Sequence, residues 1–338
     1  MLLTGIFLIL LTAALHTAAR LLLPIALAVL FTFLLAPTVR FLRRRGLPVS
    51  VGAALVVFGT LAIVGAGAGA LAGPAADWVA STPKTLVRVQ SRIRRLVRPL
   101  QATADKVDQA TGVTSTVGGP PTVQIKTPGL LQRVGLSTAS LLTTVGTVVF
   151  LTYFLLAMLP TFPRKLANLI ESRVGIRDAE AALTEIESQM SRFMVINTLT
   201  SVGVGLATWG LTASIGLPHA RLWGAAALLL NFIPYAGSVI TAALIGAAAL
   251  VSFETTGPVL LAIGGCVAIQ TIEANLITPH LMGRHLPLNP VAIFVSLLYW
   301  GWVWGAVGAI LAVPITVMLQ VVAARVNRLH SLAVLLQR

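Results

Sequence analysis

Charged residues divide this chain into long apolar windows: 1–19, 21–39, 46–76, 134–163, 193–220, 222–253, 255–272 and 285–324 contain no Asp, Glu, Lys or Arg. The windows run from 18 to 40 residues, and a bilayer-crossing helix needs about 20 apolar residues. Period-2 strand segments do not produce such runs. The pattern therefore predicts an all-α polytopic membrane protein with about eight transmembrane helices, at roughly 2–18, 21–39, 50–74, 135–160, 193–216, 222–252, 257–277 and 289–323. The first run lacks a basic leader and is followed at once by a second apolar stretch, so it reads as a span and not as a signal peptide.

The polar stretches between windows complete the expected organisation. Three spans occupy 1–74, an amphipathic extracytoplasmic insert 75–134, a fourth span 135–163, cytoplasmic amphipathic helices 164–192, a transport core with a broken helix 193–323, and a cytoplasmic tail 324–338. In the first insert Leu86, Val89, Ile93, Leu96 and Leu100 share one helical face, and Lys84, Arg88, Arg92 and Arg95 another. Such a helix packs on its own protein or lies on lipid headgroups. In the second, Asp178 is an N-cap candidate. Ala179, Leu183, Ile186, Met190 and Phe193 then form a stripe running without interruption into the fifth span. Gly65, Gly69 and Gly73, and Gly301, Gly305 and Gly308, mark faces where helices approach closely, within one chain or between subunits.

Window six is interrupted by NFIPYAG, Asn231 to Gly237. Pro234 removes a backbone donor, and Gly237 tolerates positive φ. The piece before the break, Leu222 to Ile233, reaches only about 18 Å against a core about 30 Å thick. A broken or re-entrant sixth helix is expected, and irregular backbone at membrane depth is tolerated only in protein or along a cavity. Asn231 and Tyr235 flank the break as candidate binding residues. Window seven leads into the one dense polar cluster, Gln270, Thr271, Glu273 and Asn275. Gln270 and Glu273 share a face with Cys266. Glu273 reads as a proton or cation ligand, as the partner of a cation such as Arg284, or as a charge reaching the interface.

Composition narrows the class. Only 10% of residues are charged, against about 25% in soluble domains. The net charge of +14, from 24 Lys and Arg against 10 Asp and Glu, lies mainly between the windows; it points to anionic lipid and topology, with no nucleic-acid partner. Twelve Lys and Arg fall on the side of the 40–49 loop and three in the short loops opposite, so both termini are expected in the cytoplasm of a bacterium, with the chain in its inner membrane. Cys266 is alone, so no intrachain disulfide forms. There is no G-x-x-x-x-G-K-[ST] loop and no H-E-x-x-H, and His280 with His285 makes a poor metal site. No enzyme activity, cofactor or metal is expected.

The order NFIPYAG, then EANLITPHLMGR (Glu273 to Arg284), then LNP (Leu288 to Pro290), then a Gly-rich stretch closing on AVP (Ala312 to Pro314) resembles the autoinducer-2 exporter family, the PerM-like permeases. Asn231, Pro234, Tyr235, Gly237, Glu273, Asn275, Pro279, Gly283, Pro290 and Pro314 fall on family positions. Ser238 replaces a usual Pro and Asn289 a common His. The resemblance implies an eight-span secondary carrier or permease forming homo-oligomers, with pentamers expected, whose members are linked to autoinducer-2 export and, in other branches, to Na+/H+ exchange. The expected substrate site is Asn231, Pro234, Tyr235, Gly237, Gln270, Glu273, Asn275 and Arg284, with Pro279, Gly283, Pro290 and Pro314 as structural hinges. Expected partners are a small polar solute, H+ or Na+, and anionic lipids. The reading is an exporter of a small polar solute, with a monovalent cation/proton antiporter and a non-transporting scaffold or passive pore as its rivals.

Overall fold

A computed structural model describes residues 2–78, 138–158, 176–282 and 289–325. Among them the chain forms α1 (Leu2–Thr17), α2 (Ala19–Arg44), α3 (Val49–Trp78), α4 (Thr138–Met158), α5 (Ile176–Ser214), α6 (Ala220–Leu230), α7 (Ala236–Ser252) and α8 (Thr256–Ile272). A π-helical turn (Glu273–Ile277), α9 (Thr278–Met282) and α10 (Pro290–Arg325) follow. The basic helix expected around 84–100, the tail beyond 325, and Gly283 and Arg284 lie outside the described residues. By length and composition alone, five described helical stretches suffice to cross a membrane: Ala19–Arg44, Val49–Trp78, Thr184–Ser214, Thr256–Leu281 and Pro290–Gln320, the last of which is two arms joined at Gly305. The protein is an all-α polytopic membrane protein.

The helix breaks at Ala18 between α1 and α2, which removes the helical partner of the Leu15 carbonyl. Trp304 Nε1 donates to that oxygen at 3.0 Å, and His16 Nδ1 donates to Val303 O at 2.9 Å. The α1–α2 junction is thus satisfied by α10 instead of by its own next turn. Farther along α2, Ala28, Ala36 and Val39 are buried, and Ala36 and Val39 share a core with Ala53 and Val57 of α3 and Leu156 of α4. At its end Arg40 pairs with Glu187 of α5 at 2.9 Å.

The stripe read into 164–192 is realised as part of one helix. α5 runs without a break over 39 residues, and Met190 and Phe193 join Leu30 of α2 and Leu311, Val313 and Val317 of α10 in the largest continuous core near this end. A helix of that length, about 58 Å, exceeds the bilayer, so its polar first turns extend beyond the apolar part. The close approach on its other side was not legible as a glycine stripe: Gly205 and Gly224 meet where α5 packs on α6. A Cβ on Gly205 would lie 2.8 Å from Leu228 Cβ, and one on Gly224 2.6 Å from Trp209 Cβ. The Gly65, Gly69 and Gly73 face, by contrast, has no described atom beyond its own helix within 4 Å of an added Cβ.

Window six does not cross. Trp223 near the start of α6 shares a core with Ala248 and Ala249 near the end of α7, so the two helices form an antiparallel hairpin and the chain leaves at the end where it entered. The sixth helix is therefore re-entrant, one of the two forms expected for it, whereas the expected eighth span is corrected. Ser296 Oγ donates to Ala312 O at 3.1 Å and Thr316 Oγ1 to Ser296 Oγ at 2.7 Å, whereas twenty residues of straight helix would separate residues 296 and 316 by about 30 Å. α10 therefore folds back on itself at Gly305, where φ is +65° and ψ −148°. The glycines noted there act within the chain: Gly305 makes the reversal, and a Cβ on Gly308 would lie 2.0 Å from Trp300 O.

These reversals reset which ends face together. α8 runs antiparallel to α5, with Gly265 against Leu211, and its continuation through α9 heads towards the Arg40–Glu187 end. α9 and the start of α10 are accordingly on the Arg40 side, not opposite it as a full crossing by window six would require. The fold in α10 then returns the chain to the Arg40 side by Arg325, so the two reversals offset each other.

Candidate functional site

The tip of the α6–α7 hairpin is the most irregular backbone inside the bundle. α6 ends at Leu230, and Ile233 N–H turns back to Leu230 O at 2.9 Å. Pro234 has no N–H to continue a helix. Ala236 N–H donates to Pro234 O at 2.6 Å across Tyr235, whose φ of 59° and ψ of −54° make a strained γ-turn. Holding a non-glycine residue there costs on the order of 1–3 kcal/mol. The positive φ expected at Gly237 thus falls on Tyr235. Gly237 is required for a different reason: a Cβ on it would lie 1.8 Å from Leu230 O. Ser238 Oγ and Thr241 Oγ1 donate to Tyr235 O and Gly237 O, each at 2.7 Å, and tie the new helix to the tip.

Both flanks of the tip are held by side-chain amides. Asn231 Nδ2 donates to Ser201 Oγ of α5 at 3.1 Å. From α8, Gln270 Nε2 donates to Ser238 O at 3.2 Å and to Cys266 Sγ at 3.3 Å. One residue row later α8 widens into the π-helical turn Glu273–Ile277, a distortion frequent at functional sites. Its first carboxylate, Glu273, accepts from Thr278 Oγ1 across the turn. Asn275 Nδ2 donates back to Thr271 O at 2.9 Å.

Tip and π-turn face each other across a cavity of about 680 Å³, within the 300–1,000 Å³ common for small-molecule sites. Of the expected site residues, Asn231, Pro234, Tyr235, Gln270, Glu273 and Asn275 line it. Gly237 is buried beneath the tip and acts through its close approach to Leu230. Of the expected hinges, Pro279 is exposed in α9, Pro290 opens α10, and Pro314 is buried in the returning arm beside Val313, which lines the cavity. Arg284 and Gly283, and with them the expected Glu273–Arg284 pair, lie outside the described residues.

Sequence reading missed the far wall. Phe193 and Asn197 of α5, Ser238 of α7, and Ile293 and Val313 from the two arms of α10 also line it. Asn197 carried a usable signal, an amide inside an apolar window. Ile293 and Val313 carried none, because twenty residues of apolar sequence separate them and only the fold at Gly305 brings them to one wall.

A multi-pass helical bundle with a hairpin tip opening on a largely apolar cavity that carries Glu273 and several side-chain amides is the architecture of a membrane transporter. Residues 6–328 match the family described as AI-2E family transporter, and the chain belongs to it. It is 27% identical over 340 residues to the AI-2 transport protein TqsA of Escherichia coli (strain K12), covering 97% of this chain and 93% of that one. A Haemophilus influenzae protein named for transport is 26% identical over 316 residues, covering 93% and 89%. A Mycobacterium tuberculosis protein, also named for transport, is 29% identical over 309 residues, covering 86% and 79%.

Proposed function

We propose that this chain is a secondary transporter of the bacterial cytoplasmic membrane that exports a small polar solute of the autoinducer-2 type. The observation carrying this reading is the strained hairpin tip opening on a cavity whose opposite wall bears Glu273 and side-chain amides. Irregular backbone of this kind is tolerated at membrane depth where it lines a cavity, and interrupted helices in transporters mark substrate sites. The name of the Escherichia coli relative, an AI-2 transport protein, is in keeping with it. The second reading is a monovalent cation/proton antiporter, favoured by one specific feature, a carboxylate in the cavity wall whose described partner is a hydroxyl.

The working unit is a homo-oligomer, a pentamer as the family resemblance implies. Both termini and the 40–49 loop are cytoplasmic, the 75–134 insert is outside, and exposed Arg43, Arg44 and Arg45 meet anionic lipid headgroups. Flux into proteoliposomes with and without imposed Na+ and proton gradients tests the function. Gradient-driven movement of a polar solute supports the exporter, Na+/H+ exchange without solute supports the antiporter, and no flux of either kind leaves a scaffold or passive pore. Reporter fusions in the 75–134 insert test the orientation.

A further inference from the structure

The α6–α7 hairpin stands between the cavity and the face of the bundle at which it enters, as the order of contacts along α5 shows. Glu187 pairs with Arg40, Phe193 and Asn197 line the cavity, and Ser201 meets Asn231 of the tip. Beyond them Gly205 packs on Leu228 of α6, and Thr212 lies beside Ala220, where the hairpin begins. α8 repeats the order in reverse, with Gly265 against Leu211, Gln270 at the tip, and Glu273 and Asn275 at the cavity. A solute leaving the cavity on the side away from Arg40 therefore meets the tip first.

One side-chain contact fastens the tip on each flank. Ser201 is fully buried, and its Oγ accepts from Asn231 Nδ2 at 3.1 Å. Gln270 Nε2 donates to Ser238 O at 3.2 Å. A backbone carbonyl only accepts, so this amide has one allowed orientation, and Oε1 is buried with no partner among the described residues. The fastened state thus carries two unfavourable features, that unpaired acceptor and the positive φ of Tyr235. Movement of the tip can relieve both, and strain of this kind clusters at clamps and switch regions. Resting on the reading of this cavity as the solute site, we infer that the tip is a gate closing the cavity toward the hairpin's entry face, with Ser201 and Gln270 as the positioning residues that latch it. Each acts on the solute only through the tip residue it holds. Release of both contacts lets the hairpin part from α5 and α8 and opens the cavity to that face.

The test uses the full-length protein in sealed vesicles. Cys266→Ala removes the sole native thiol, and Ile233→Cys adds a reporter at the tip. A membrane-impermeant methanethiosulfonate is applied to each side in turn, with His219→Cys in a separate sample identifying the hairpin's entry side. The reporter should react at least about tenfold more slowly from the entry side than from the other. Ser201→Ala or Gln270→Met, each removing one hydrogen bond, should speed entry-side labelling about tenfold, a side-specific change that general loosening would not produce. Equal labelling from both sides of the parent, or rates within about twofold of the parent in both latch variants, would overturn the gate. The converse experiment closes the latch. With Ser201→Cys and Asn231→Cys bridged by Hg2+, autoinducer-2 flux should stop and return on adding dithiothreitol; flux retained in the bridged protein also overturns the gate. Absence of autoinducer-2 flux in the unbridged protein at every ion gradient overturns the exporter reading, while the labelling decides the gate by itself.

Discussion

Replacing Gly237 with alanine places one methyl group where the hairpin has no room. The added Cβ would lie 1.8 Å from Leu230 O and 2.7 Å from Leu230 C, and both contacts are with backbone that cannot swing aside as a side chain does. Ordinary contact begins at 3.4 Å, so the tip must open by about 1.6 Å before repulsion is relieved. That displacement moves Asn231 and Tyr235 relative to Gln270 and Glu273, which sit on a separate helix. Misplacement by about 1 Å costs roughly 100-fold in a positioned site, and overpacking a folded backbone costs about 1–3 kcal/mol of stability. Flux per reconstituted protein should therefore fall about 100-fold, with a lower but still cooperative thermal transition, because the α5–α6 contact at Gly205 and Gly224 is untouched. Gly264→Ala is the matched control: nothing lies within 4 Å of its added Cβ, so flux should be unchanged. Wild-type flux in Gly237→Ala, with unchanged stability, would show that the tip is not packed as described and that its geometry does not set transport.

Glu273→Gln removes the charge at nearly constant volume; ion-driven flux should disappear while assembly by size-exclusion chromatography is preserved, and normal flux at every Na+ and proton gradient would reduce Glu273 to a structural acceptor. Cysteines at Ser296 and Thr316 should form an intramolecular disulfide on mild oxidation, since their hydroxyl oxygens are 2.7 Å apart; a straight helix would leave them about 30 Å apart and unlinked. Trp304→Phe leaves the Leu15 carbonyl without its indole donor and should cost about 1–3 kcal/mol in thermal or denaturant unfolding, an effect absent if α1 is continuous with α2. Arg40→Ala should lower stability by less than about 1 kcal/mol and lose that effect in high salt, because the Arg40 side chain is 44% exposed.

Hydrophobic patterning alone determined that this is an α-helical membrane protein, where its apolar segments lie, and several of the polar residues that reach the cavity, Asn231, Gln270, Glu273 and Asn275 among them. Those properties depend on local sequence: the length of an uncharged run decides whether it can enter a bilayer, and Pro234 removes a helical hydrogen-bond donor whatever surrounds it. The stripe from Ile186 to Phe193 was legible for the same reason, since a helical period needs only neighbours in sequence. Tertiary structure decided direction. An apolar run that crosses and one that reverses have the same transfer free energy, so window eight could not reveal that it turns back, nor that Ile293 and Val313 share a wall, and the break legible in window six did not say which way the chain leaves it. The reversal at Gly305 depends on Ser296, Ala312 and Thr316 meeting across the arms, and the need for glycine at 237 depends on where Leu230 O lies.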